Sequence, residues 1–348
     1  MVSRSLLPAE DIDAICACYA LGSAVEQTLV YEGTSSLYRL VCQSTSGSRV
    51  YALKVQDAYQ DLLSSKIFES AVLSALRPVF RRVPVLLIPQ WSAGVLRQPW
   101  GILSDDRAIS AYEWVDNLPY AGTAEQRRAA ARTLGELQNS LDHIVPVEMS
   151  AASELDSFLD APGAGFVPEF SAFEQERFRA DQDSGLSPAA LAFLQEQREV
   201  AREELRGHVE GLRRSRHGLV HAEFTPPNCG YAADGEIRIV FDFEAVRGGL
   251  VPLAAALTIA TFSFNPVAGA RETAARMAEM LHELRSVCPA ASPAPGLLLP
   301  LVRLAYLDAA RRQLVRRITR VVPRWGFLRQ DVENLHWLDE NAELIADL

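Results

Sequence analysis

Through the first hundred residues the hydrophobic positions fall in short runs rich in β-branched and aromatic residues; from Thr123 onward they follow helical spacing. Runs at 25–30, 37–41 and 50–56, separated by glycine and serine clusters, predict an antiparallel meander. A helix opens the chain, started by Pro8 and the acids at 10, 11 and 13. A second is expected over 62–76, with Leu63, Ile67, Ser70, Ala71 and Ser74 about one turn apart on one side, and Arg77-Pro78 ends it. Further strands are expected at 85–89 and 108–115.

Thr123-Ala-Glu-Gln126 matches a capping box ahead of a helix to about residue 141, and Ser187-Pro188 opens another to about 214. The stretch 161–185, carrying Pro, Gly and Ser, reads as an irregular insertion. A short β island interrupts at 219–243, and helices resume near 250–263, 268–286, 297–320 and 330–345. The pattern predicts an α+β chain of two lobes: a small antiparallel-sheet lobe over 1–116 and a larger, mainly helical lobe over 117–348. Within the island, Asp234-Gly235 signals a two-residue hairpin that sets 221–228 at one end with Asp242-Phe243-Glu244 beside it.

At 348 residues, 49% of them hydrophobic, the chain is long enough for two cores, since single cores stop growing at about 250–300 residues. A net charge of −10 provides no overall basic field to hold nucleic acid. Cysteines at 16, 18, 42, 229 and 288 are odd in number and lack C-x-x-C spacing, which predicts a reduced, cytoplasmic protein. The N-terminus turns acidic where a signal peptide needs an apolar run, and the most apolar stretch, 250–264, is short for a membrane span. It reads as a buried helix.

The chemistry gathers in a few segments. Phosphoryl transfer asks for metal ions on the phosphates, a cation and a base near the acceptor hydroxyl. Tyr31-Glu-Gly33-Thr-Ser35-Ser36-Leu37 joins two predicted strands where a phosphate-covering loop would lie, though a plain hairpin turn fits its single glycine equally well. Tyr51-Ala-Leu-Lys54-Val puts a lysine on the third strand. The sequence holds only two lysines, Lys54 and Lys66, every other basic side chain being arginine, and a compact ammonium suits a point contact to phosphate. Glu69, on the following helix, is placed to pair with Lys54 or to lie on a solvated face. Asn228 and Asp242 offer hard oxygens of the kind magnesium prefers.

Leu219-Val-His-Ala-Glu-Phe-Thr-Pro-Pro-Asn228 followed by Ile239-Val-Phe-Asp-Phe-Glu244 resembles the aminoglycoside phosphotransferase and choline kinase family, whose pattern is H-G-D-x-x-x-x-N and then I-D-F-E or I-D-W. Phe68-Glu-Ser-Ala-Val-Leu-Ser-Ala-Leu76 is similar to that family's E-A-x-x-L-x-x-L helix, and Ala111-Tyr-Glu113-Trp114-Val115 to its hinge segment. The likeness runs from about residue 23 to 263. It implies a protein-kinase-like fold and an ATP- and magnesium-dependent transfer to an alcohol. Asn228 and Asp242 would then hold magnesium, with Glu244 assisting. Lys54 would meet the α/β-phosphates, Glu69 would orient Lys54, and backbone groups of 113–115 would meet adenine. Glu223 would stand where the family has its catalytic aspartate, and His221 would brace the loop.

Three residues depart from the family pattern: Glu223 for aspartate, Ala222 for glycine, and Pro252 for the aspartate before L-A. The carboxylate at 223 therefore reaches one methylene further. Three functions remain open on the sequence. The first is a kinase of a small, antibiotic-like or natural-product-like acceptor. The second is a Ser/Thr kinase acting on a precursor peptide for a partner lyase, and the third a nucleotide-binding pseudokinase scaffold. Arg303, Arg311, Arg312, Arg316, Arg317, Arg320 and Arg324 oppose only Asp308 in their stretch, forming either a solvated face or a surface for an anionic acceptor.

Overall fold

The computed structural model describes residues 6–32, 35–56, 62–89, 100–102, 107–144, 188–264, 268–318 and 325–348. Gly33 and the insertion expected at 161–185 lie outside them. The chain forms two units: Met1–Leu118 with Gly230–Ala232 and Arg238–Glu244, and Pro119–Cys229 with Ala233–Ile237 and Ala245–Leu348.

The first unit is built on period-2 alternation. Strands β1 (Ser23–Glu32), β2 (Ser35–Ser44), β3 (Gly47–Gln56), β4 (Trp100–Ile102) and β5 (Ala108–Glu113) form an antiparallel sheet in the order β1-β2-β3-β5-β4. Tyr38, Leu40 and Cys42 of β2 and Tyr51, Leu53 and Val55 of β3 share one buried face. They cluster with Ile12, Ile15, Cys16 and Tyr19 of helix α1 (Ala9–Tyr19). Each fully buried aliphatic side chain here contributes about 1.5–3 kcal/mol. Because successive strand residues point to opposite faces, Lys54 and Gln56 stand on the other side of the sheet from this core.

Two sequence expectations change in this unit. The segment 85–89 makes a single bridge, Leu86 to Tyr112, and the bonds Leu87 N–H to Ala111 O and Glu113 N–H to Val85 O rather than a strand; β4 was not foreseen. Helix α2 has the expected bounds, Leu62–Leu76, but not the expected face. Ile67 is 56% exposed, whereas Lys66, Glu69, Val72, Leu73 and Leu76 are buried. Mutual pairing of the two charged residues is what lets them occupy the inner side.

Among the described residues the second unit is helical apart from one strand pair. Helix α3 (Ala124–Leu141) is capped as predicted, Thr123 Oγ1 accepting from the Gln126 N–H at 3.2 Å. Helix α4 (Pro188–Leu205) ends before the predicted 214; a 3-10 turn over Arg206–His208 separates it from α5 (Val209–Arg214). Strands β6 (His217–His221) and β9 (Val246–Leu250), an antiparallel pair the sequence reading did not anticipate, lead into α6 (Val251–Ser263). Helices α7 (Ala270–Val287), α8 (Leu298–Ile318), α9 (Trp325–Glu340) and α10 (Ala342–Ile345) complete the unit. The α8 helix packs against α4, α6 and α9. Its Arg303, 1% exposed, donates through Nε and one terminal nitrogen to Glu204, both at 3.1 Å, and through the other to Gln197.

Between Asn228 and Asp242 lie β7 (Cys229–Tyr231) and β8 (Ile237–Val240), a two-stranded sheet. The connection is five residues long rather than two: Asp234 Oδ1 accepts from the Glu236 N–H at 3.0 Å, and Gly235 takes the left-handed conformation at φ +86°. Among the described residues no helix is long and apolar enough to cross a membrane.

Helix α9 carries a residue that opposes folding. Burial pushes the carboxyl of Asp331 up to about 8, against the lowering influence of Arg312. A carboxyl that is harder to ionise in the fold costs stability as pH rises from its unfolded value near 3.8 toward 8, and costs nothing further above that. Asp331→Asn, neutral throughout, should match the parent Tm at pH 4 and exceed it by a margin that grows to a plateau above pH 8. Thermal unfolding across pH 4–9 checks this; a constant margin would contradict it.

Candidate functional site

The lysine set on the open face of β3 finds its partners in the segment that follows β8. Lys54 Nζ donates to Asp242 Oδ1 at 2.7 Å and to Glu244 Oε1 at 2.8 Å. Gln56, two residues along the same face, donates to both Glu244 oxygens at 3.1 and 3.2 Å. From α2, Lys66 Nζ donates to the other Glu244 oxygen and to Glu69 Oε2, each at 2.9 Å. The hydroxyl of Tyr112 on β5 donates to Glu69 Oε1 at 3.1 Å. Three carboxylates and two ammoniums thus form one network inside the first unit.

Burial alone would lower the pKa of Lys54, but Asp242, Glu244 and Glu69 outweigh it and hold the ammonium protonated well above the ordinary lysine range. Burial would likewise raise Glu244; Lys54 and Lys66 reverse this and keep its carboxyl well below the usual range. Tyr112 is pushed well above the ordinary phenol by burial and by Glu69. Asp242 holds φ +64°, a left-handed backbone that a non-glycine residue rarely adopts and that aspartate and asparagine tolerate best.

The network redistributes two expected roles. Glu69 is bound by Lys66 and Tyr112, while the direct partners of Lys54 are Asp242 and Glu244. Glu244, expected to assist a metal, has both oxygens committed to lysine and glutamine donors. Lys66, placed on the inner side of α2 by its pairing, had been read only as the second lysine.

The loop carrying Glu223 lies in the second unit. Register fixes its start: His221 pairs with Val246, Val220 with Arg247, and the Ala222 N–H donates to Ala245 O at 3.2 Å. His221, 2% exposed, meets Phe224 edge-on with centroids 6.0 Å apart. Thr258 of α6 donates to the Phe224 carbonyl at 3.0 Å, and Pro252, where the family has aspartate, occupies the first turn of that helix. Asn228 Nδ2 donates to the Glu223 carbonyl at 2.8 Å. With the amide nitrogen so used, the Asn228 oxygen is the atom presented as a ligand, and it is of the type a hard divalent cation takes. Magnesium keeps several waters and phosphate oxygens rather than an all-protein cage, so few protein oxygens are needed to hold it. Among the described residues no group of three or more His, Cys, Asp or Glu forms a ready-made metal cluster.

The remaining candidates are placed as follows. Ser35 and Ser36 open β2, Ser36 being fully buried, while Gly33 of the same turn lies outside the described residues. In the hinge segment the Glu113 N–H donates to Val85 O at 3.0 Å and the Trp114 N–H to Val50 O at 3.1 Å. Val115 therefore carries the amide not engaged in the sheet, and its carbonyl accepts from Asn117 at 2.8 Å. Arg312 and Arg247 both donate toward Asp308 Oδ2, at 3.4 and 3.3 Å, and Arg311 is exposed. The side chains of Arg316 and Arg320 lie outside the described residues.

A sequence profile described as the phosphotransferase enzyme family matches residues 35–251. No curated protein sequence matches. A microcompartment-associated aminopropanol kinase superimposes with a TM-score of 0.61 at 17% identity, over 93% of this chain and 94% of that one. An amicoumacin kinase, solved with AMP-PNP, Ca2+ and Ami, gives 0.58 at 13% identity over 93% and 91%. A spectinomycin phosphotransferase, solved with ADP and spectinomycin, gives 0.57 at 10% over 96% and 98%. These likenesses show the fold, α+β and protein-kinase-like.

Proposed function

The chain belongs to the phosphotransferase enzyme family, and from that premise we propose that it transfers the γ-phosphoryl group of ATP to a hydroxyl of a small, antibiotic-like or natural-product-like molecule. The observation that carries this reading is Lys54, held protonated on β3 against the carboxylates of Asp242 and Glu244. A fixed ammonium beside an aspartate is what stabilisation of a triphosphate in transfer calls for.

Lys54 contacts the phosphates and offsets the charge that develops on them. Asp242 and Asn228 would each offer an oxygen to magnesium, which when bound would neutralise charge on the phosphate oxygens. Glu244 anchors Lys54 instead of ligating the metal. The Val115 amide is the hinge donor for adenine. Glu223 takes or orients the proton of the acceptor hydroxyl, and its loop is stiffened for that task by Asn228, Thr258 and the β6–β9 pair.

The acceptor is a small alcohol bearing an anionic group. Two guanidiniums, Arg247 and Arg312, meet at Asp308 Oδ2, a cationic surrounding that suits an anionic group better than a polycation. The test is a screen for labelled product with radioactive ATP over small alcohols, half of them carrying carboxylate or phosphate. Transfer to a member of the panel supports the reading; hydrolysis of ATP with no acceptor ever labelled contradicts it. With the true acceptor, Glu223→Gln should lower kcat by about 10²–10⁴. It should leave ATP affinity within about twofold, because the proton it handles is the acceptor's. Full turnover in that variant would remove Glu223 from the role.

A further inference from the structure

The phosphate-contacting lysine of this chain is not free to leave its carboxylates unless something else holds them. Lys54 is bonded to two, Asp242 and Glu244, and a third, Glu69, adds its field. Had Lys54 been the sole cation there, each move toward a phosphate would strip buried Glu244 and Glu69 of a counter-ion. Breaking such pairs one-sidedly is strongly unfavourable. The structure supplies a second cation at that place. Lys66 is 2% exposed and bridges Glu69 Oε2 and Glu244 Oε2 at 2.9 Å each. The remaining oxygens have their own donors: Tyr112 on Glu69 and Gln56 on Glu244.

We infer that Lys66 is a positioning residue for phosphotransfer: by bridging Glu69 and Glu244 it holds both carboxylates in place so that Lys54 can exchange carboxylate for nucleotide phosphate. The inference rests on the reading of Lys54 given above. The charge count makes it specific. The network holds two ammoniums and three carboxylates, a net charge of −1. Removing Lys66 makes it −2 and sets the carboxylates in competition with ATP for Lys54. Removing Glu69 as well restores −1 without restoring the bridge.

The experiment measures ATP affinity of the full chain by calorimetry, with magnesium present, and the thermal midpoint of each protein without ligand. Lys66→Met should weaken ATP by about 10–100-fold, the range typical of residues that support a ligand-binding group from behind, and lower the midpoint. Lys66→Met/Glu69→Gln should recover affinity to within a few-fold of the parent. Unchanged affinity in Lys66→Met overturns the inference. So does a double variant as weak as the single one, which would make Lys66 a tether rather than a charge partner. Should Lys66→Met not fold, the double variant decides alone: folded and binding ATP like the parent supports the inference, folded without ATP binding overturns it. A parent chain that binds no ATP would overturn the phosphotransfer reading itself and this inference with it, whereas binding by the parent confines any failure to Lys66.

Discussion

Lys54→Met is expected to cut transfer by orders of magnitude and to destabilise the fold. The methionine keeps the length of the side chain and removes its charge, so Asp242 and Glu244 lose the donor that now sits at 2.7 and 2.8 Å. One-sided removal of a buried ion partner costs about 3–5 kcal/mol. The lower end applies here, because Lys54 keeps 15% of its side-chain surface and Lys66 still covers one oxygen of Glu244. Turnover should fall by at least about 10²–10³, the loss typical of removing a preorganised group aimed at developing charge. Chemical denaturation and a single-turnover assay at saturating ATP separate the two effects. A variant that unfolds early yet transfers at the parental rate would show that Lys54 is structural.

Asp242→Asn is expected to have nearly the same effect on transfer with little effect on folding. Its backbone sits at φ +64°, which asparagine accepts as readily as aspartate. The amide therefore keeps the local conformation and loses the charge, lowering kcat by about 10²–10³. Asp242→Ala should lose the same activity and in addition about 1–2 kcal/mol of stability, since a β-carbon without a polar group is strained in that region. The difference between the two variants isolates the backbone contribution. If the asparagine variant turned over at the parental rate, the carboxylate would have no part in the chemistry.

How far these residues were legible in the sequence depended on the range of the interactions that place them. The cap at Thr123 and the bounds of Leu62–Leu76 follow from neighbours within four positions, and both could be read directly. The face of α2 could not. Binary patterning puts Lys66 and Glu69 in water, and they are inside because Glu244, 178 positions away from Lys66, completes the charge set. The same limit hid the β6–β9 pair: Val246-Arg-Gly-Gly-Leu250 has two glycines and no alternation, and only its partner His217–His221 makes it a strand. It also hid the packing of Arg238–Glu244 with the first unit, for the hairpin signal at Asp234-Gly235 says that the chain turns but not where the returning strand docks. The loop 219–228 could be singled out because its polar residues are written contiguously; Asp242 and Glu244 could be singled out as a motif, but that both bond Lys54 could not be read from it.

The scarcity of lysine has a practical side. The chain's only two primary-amine side chains, Lys54 and Lys66, are both turned inward, 15% and 2% exposed, while its other basic side chains are arginines. An endoprotease that cuts after lysine thus meets no accessible bond until the β3 and α2 region opens, and then releases a fragment ending at 54, a twelve-residue piece and one long remainder. Digestion with such an enzyme becomes a clock for opening of the network itself, read without any knowledge of the acceptor.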